Sequence, residues 1–91
     1  MTDAPKPIDF TGLRAALDKH VKFPTNYVFK FIVPRNELPH LLALLDGMEL
    51  TTRDSATGKY VSVTVEHVVR QAEHVIEVYE RVRIVKGIMS F

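Results

Sequence analysis

The chain reads as an α+β sandwich, a four-stranded antiparallel sheet with two helices on one face. Three observations predict it. Residues 26–33 and 59–69 alternate side-chain character with the two-residue period of a strand. Residues 38–45 and 72–82 repeat apolar side chains at three- and four-residue steps, the period of a helix. Their order along the chain is strand, helix, strand, strand, helix, strand. Two helices with one apolar stripe each can cover only one side of a sheet, and the ferredoxin-like βαββαβ plait does this.

Each element has its own warrant. Residues 1–9, "MTDAPKPID", carry two prolines and two aspartates and little to bury, so a flexible tail is expected there. Thr11 is placed to cap a short helix over residues 12–20, with Leu13, Ala16 and Leu17 on one side. That helix stops before Pro24, which biases Phe23 away from helical angles. In "NYVFKFIV", Tyr27, Phe29, Phe31 and Val33 point one way, and Val28, Lys30 and Ile32 the other. Lys30 marks the second face as the wetter one.

Pro34 ends this strand, and Leu38, Leu41, Leu42 and Leu45 form the first helical stripe. Asn36 is the expected N-cap, which puts Pro39 third in the helix, where no intrahelical bond is lost. Gly47 suits the C-terminal cap. The weak alternation of residues 48–54 predicts an edge strand. "SATG" is then a hairpin connection into the strongest strand, with Val61, Val63 and Val65 inward and Tyr60, Ser62 and Thr64 outward.

Ala72, Val75, Ile76, Tyr79 and Val82 make the second stripe, with Glu77 and Arg81 spaced for an i,i+4 ion pair. "RIVKGIMSF" is read as the last strand, with Val85, Gly87, Met89 and Phe91 inward and Ile84, Lys86, Ile88 and Ser90 outward. Residues 10–91 thus form a single domain.

Composition narrows the function. Lys+Arg 12 against Asp+Glu 11 gives a formal charge of +1, without the basic excess of a protein that neutralises phosphates. The absence of cysteine removes disulfides and thiolate metal sites. No apolar run suggests a signal peptide or membrane span, so a soluble, cytoplasmic protein is expected.

The pair Gly58-Lys59 resembles a phosphate-binding loop only superficially. Such a loop needs a glycine five residues earlier, a hydroxyl after the lysine and a helix behind it. Tyr60 and a strand stand there instead. His20, His40, His67 and His74 lack metal-ligand spacing, and no serine has a nucleophile-elbow context. No catalytic residue, metal or cofactor is assigned. A small enzyme would need a dispersed pair such as His67 with Glu66 or Asp54.

"Phe23-Pro24-Thr25", "Ser55-x-x-Gly58-Lys59-Tyr60-x-Ser62-Val63-Thr64" and "Val78-Tyr79-Glu80" occur in that order. Together they resemble the DUF493 (YbeD-like, UPF0250) family over roughly residues 22–91. The resemblance implies a ferredoxin-like domain similar to ACT-type regulatory modules, and no assigned activity.

The function expected is a non-catalytic regulatory or interaction domain, a homodimer, that binds a small-molecule effector or a partner protein. The bare sheet face would expose Val28, Ile32, Tyr60, Ile84 and Ile88 among Lys30, Ser62, Thr64 and Lys86. Apolar patches with polar rims mark interaction sites. The alternatives are that the N-terminal helix covers this face through Leu13 and Leu17, or that it is an ordinary solvated sheet. Candidate contact residues are Ser55, Gly58, Lys59, Tyr60, Lys30 and Ser62, because loops on rigid scaffolds carry function. An RNA-binding version of the fold would stack bases on aromatic side chains of this face, where only Tyr60 is expected.

Overall fold

The computed structural model describes residues 10–90. Tail residues 1–9 and Phe91, for which a flexible segment and a core position were expected, lie outside them. The elements are α1 (Thr11–His20), β1 (Thr25–Pro34), α2 (Leu38–Leu44), β2 (Glu49–Asp54), β3 (Tyr60–Val69), α3 (Ala72–Val82) and β4 (Met89–Ser90). The four strands form one sheet in the order β2-β3-β1-β4, and every pairing is antiparallel. This is the α+β, ferredoxin-like arrangement expected, with the two longest strands at its centre.

Alternation in the sequence becomes burial in the structure. Phe29, Phe31 and Val33 from β1, and Val61, Val63 and Val65 from β3, are fully buried. Leu41, Leu45, Val75, Val78 and Val82 from the helical side close over them in one cluster. Burying side chains of this size stabilises by roughly 1.5–3 kcal/mol each, so the strand faces and the helical side that covers them are both major contributors to the fold's stability. Aromatic contacts add geometry, with the Phe29 and Tyr79 rings edge to face at 5.5 Å.

Several local expectations are corrected. Phe10, not Thr11, occupies the N-cap position of α1, and its carbonyl accepts from the Arg14 N–H at 2.8 Å. Asn36 does not cap α2. The Arg35 N–H donates to the Lys59 carbonyl at 2.9 Å, which carries sheet bonding one residue past Pro34. Residues Arg35–Glu37 then make a 3₁₀ turn, Glu37 takes the cap position, and Pro39 is second in the helix. The proline still loses no bond there. Arg81 reaches the Leu44 carbonyl at 3.4 Å, and among the described residues it makes no ion pair with Glu77.

The last strand is much shorter than expected, and its inside and outside are exchanged. After α3 the chain turns twice, through bonds from Val85 N–H to Val82 and from Ile88 N–H to Val85, and Gly87 adopts φ +76°. These turns reset the alternation. Val85 is buried as expected, but Met89 lies opposite Ile32 and is 48 % exposed. Ile88 packs against the core instead of pointing outward. Ile84 and Lys86 sit in the turn and are not part of the sheet face.

Helix α1 does not cover the open face. It packs beside α3, where Arg14 pairs with Glu73, and Leu17 joins the buried cluster with Leu13 at its margin. Its apolar side therefore extends the helical layer. The far side of the sheet is left uncovered by the described residues, exposing Val28, Tyr60, Val68 and Met89.

Candidate binding site on the open sheet face

Register fixes which side chains share the open face. Tyr60, Ser62, Thr64 and Glu66 of β3 lie opposite Pro34, Ile32, Lys30 and Val28 of β1. Since β3 shows its valines inward, these partners all point outward. On the flanks, Arg53 of β2 registers with Ser62, and Met89 of β4 with Ile32. A groove of about 390 Å³ crosses the face here, lined by Ile32, Arg53, Asp54, Ser55, Tyr60, Ser62 and Met89.

The hairpin at the groove's end is tied at several points. The Ser55 N–H donates to the Tyr60 carbonyl at 2.9 Å, and Ser55 Oγ accepts from the Tyr60 N–H at 3.2 Å. Gly58 turns the chain with φ +74°, a backbone state that costs glycine little. Arg35 clamps the loop from outside. Its Nε donates to the Gly58 carbonyl at 2.6 Å, and its guanidinium pairs with Asp54 at 2.8 Å. A rigid loop thus borders a partly apolar groove.

Three of the expected contact residues come together here: Ser55, Tyr60 and Ser62 line the groove. Gly58 and Lys59 belong to the adjoining loop, where their carbonyls accept from Arg35. Lys30 lies on the same face one row away, opposite Thr64, outside the groove lining. Sequence reasoning missed Arg35, because nothing local links it to a glycine 23 positions along the chain. It missed Met89 because the turn before β4 inverts the strand's faces. Phe29 and Phe31 are buried, so Tyr60 is the one aromatic side chain of β1 and β3 on the open face.

The dispersed acid/base pair is not assembled. Glu66 points to the open face and His67 to the helical side, while Asp54 registers with Val61, six positions along β3 from His67. His67 instead shares a concavity of about 210 Å³ with His74, Glu77 and Arg81. There His74 Nδ1 accepts from the Arg70 N–H at 3.3 Å and holds the start of α3. Among the described residues no group of three metal-ligating side chains converges, and no helix is long and apolar enough to cross a membrane.

A larger concavity of about 530 Å³ lies on the helix side, between α1, α3 and the end of β4, lined by residues including Leu13, Tyr79, Val82 and Ile88. It contains none of the expected contact residues. Burial pushes the Tyr79 phenol up to about 12, and the neighbouring Tyr27 adds to this through its charge and a hydrogen bond.

No curated protein and no solved structure matches the chain. A family described as "Protein of unknown function (DUF493)" matches residues 18–91, which include β1 to β4, α2, α3 and the whole groove. With most of its length matched, the chain belongs to the DUF493 family.

Proposed function

We propose that the domain is a non-catalytic regulatory or interaction module of ACT-like type, and that it binds through its open sheet face. The supporting observation is the groove: Ile32, Tyr60 and Met89 give it apolar walls, Ser55, Ser62 and Arg53 give it polar groups, and Arg35 holds its loop in place. Ligand sites commonly combine apolar walls with a few fixed polar groups. At about 390 Å³ the groove suits a ligand the size of an amino acid or small organic acid.

The test is a thermal-shift screen against amino acids, nucleotides and small organic acids, followed by amide NMR titration of any hit. A ligand at 100 times its Kd stabilises by about 2.7 kcal/mol, on the order of 10 °C in a domain of this size. Shifts clustered on Ile32, Ser55, Ser62 and Met89 are expected. Shifts confined to Leu13, Tyr79 and Val82 would move binding to the helix side and overturn the reading.

A further inference from the structure

Charges on the open face are segregated along the strands. Arg53 and Ser62 share one row with Ile32; Thr51, Thr64 and Lys30 share the next; Glu49, Glu66 and Val28 share the one after. Like charges directly opposite each other on one sheet face repel. Both glutamates are exposed, and among the described residues neither makes an ion pair; nor does Arg53. The face thus has a basic end and an acidic end, with apolar side chains at both.

Resting on the reading of this face as the binding surface, we infer that, when no small ligand fills the groove, it closes on a second copy of the chain, which covers the same side chains. The two copies are related by a two-fold axis that lies in the interface and crosses the strands at the row of Thr51, Thr64 and Lys30. This operation keeps each strand over its counterpart and reverses the rows. Arg53 of each copy then stands over Glu49 of the other, because a two-fold contact occurs twice. Ile32 falls over Val28, and Tyr60 over Val68. Lys30 approaches its own copy at the axis, and its flexible stem lets the ammonium swing toward Glu66 of the second copy, one row and one strand away.

The other in-plane axis, running along the strands, sets Ile32 over Ser62, Glu66 over Val28 and Arg53 over Met89. It pairs no opposite charges, so the crossing axis is the self-complementary one. Strand β3 has ten residues. Strand β1 also has ten, β2 has six and β4 has two, so at about 3.3 Å per residue and about 4.8 Å between strands the face covers roughly 440 Å². That is well short of the roughly 800 Å² per partner of a standard specific interface, which places the contact in the size class of weak, reversible association.

Sedimentation velocity on the full chain, from roughly 1 μM to 1 mM, tests this, with circular dichroism to check that each variant folds. The native chain is expected to dimerise with concentration. Arg53→Glu and Glu49→Arg should each weaken dimerisation by about tenfold, and the double variant should recover to within about threefold, because the exchange re-forms the pair. A native chain monomeric throughout would overturn the dimer, and the reading of the face would stand if small-molecule titration still maps there. A dimer broken by Glu77→Arg on α3 but not by Arg53→Glu would move the interface to the helical side and overturn the dimer through this face; the reading of the face falls only if titration also maps elsewhere. Loss in both single variants without recovery in the double would overturn the crossing axis.

Discussion

Arg35 Nε donates to the Gly58 carbonyl at 2.6 Å while the same guanidinium pairs with Asp54 at 2.8 Å, so one side chain spans both ends of the β2–β3 hairpin. Both ends are accessible to water, and exposed ion pairs contribute little, about 0–1 kcal/mol. The charge-assisted bond to the carbonyl is the stronger half. Arg35→Ala is expected to lower stability by about 1 kcal/mol in chemical denaturation. It should also speed amide exchange at Gly58 and Tyr60. Arg35→Lys keeps the charge without the planar fork and should recover less than half of the loss. Unchanged exchange in Arg35→Ala would show that the hairpin's own bonds suffice.

Gly87 and Gly12 should respond in opposite directions to the same substitution. Gly87 has φ +76°, and a Cβ there would stand 2.9 Å from Pro34 Cγ. Gly87→Ala therefore meets both left-handed strain and a ring that has little room to yield, at a cost of about 1–3 kcal/mol. Gly12 lies in α1 with nothing within 4 Å of its Cβ position. Gly12→Ala should stabilise by up to about 0.5 kcal/mol through the entropy of the unfolded chain. Thermal unfolding of the two variants beside the parent decides it. A Gly87→Ala protein as stable as the parent would mean that neither the left-handed angle nor the Pro34 ring constrains position 87.

What was legible in the sequence depended on how many residues repeat a pattern. Strands β1 and β3 each offer ten residues, and their inward faces could be read from Phe29, Phe31 and the valines at 61, 63 and 65. Tyr60 and Ser62 followed from that reading as outward-facing residues, whereas Ser55 was expected as a contact residue from its place in the hairpin loop, and the groove that joins the three was not foreseen. Strand β4 has two residues, too few to carry a period, and its faces are set by Gly87 upstream. Leu13 and Leu17 marked an apolar side on α1 but not which apolar surface it would meet. That choice goes to α3, where Arg14 finds Glu73. Long-range contacts such as Arg35 with Gly58 leave no trace in local spacing.

The inside–outside assignment of β3 predicts unequal effects for one isosteric change. Val63 is fully buried and Val68 is 57 % exposed on the same strand. Threonine matches valine in shape but brings a hydroxyl that needs a partner. Val63→Thr should cost about 1–3 kcal/mol, the penalty for an unsatisfied buried hydroxyl. Val68→Thr should stay within about 0.5 kcal/mol. Denaturant midpoints of the two variants provide the comparison, and a Val63→Thr protein as stable as the parent would contradict the packing described for the central strands.

Tyr79 carries a pH signature in its place against Phe29 and Phe31, with ring centroids at 5.5 and 6.2 Å. Its phenol is pushed up to about 12, above the ordinary value of 10.0, first by burial and then by Tyr27. The folded state therefore holds this proton more tightly than the unfolded chain does. The contribution to stability is complete below pH 10 and declines as the pH rises toward 12, where the unfolded chain releases the proton first. Tyr79→Phe removes the ionisable group and keeps the ring contacts. Its stability should fall less steeply than the parent's across that window, although it starts lower for want of the bond to Tyr27. Denaturant titrations at intervals from pH 9 to 12 measure the two slopes, with lysines and the remaining tyrosines common to both proteins. Parallel slopes would mean that Tyr79 ionises as freely in the folded domain as in the unfolded chain, and that the ring is not held where Tyr27 and the core can act on it.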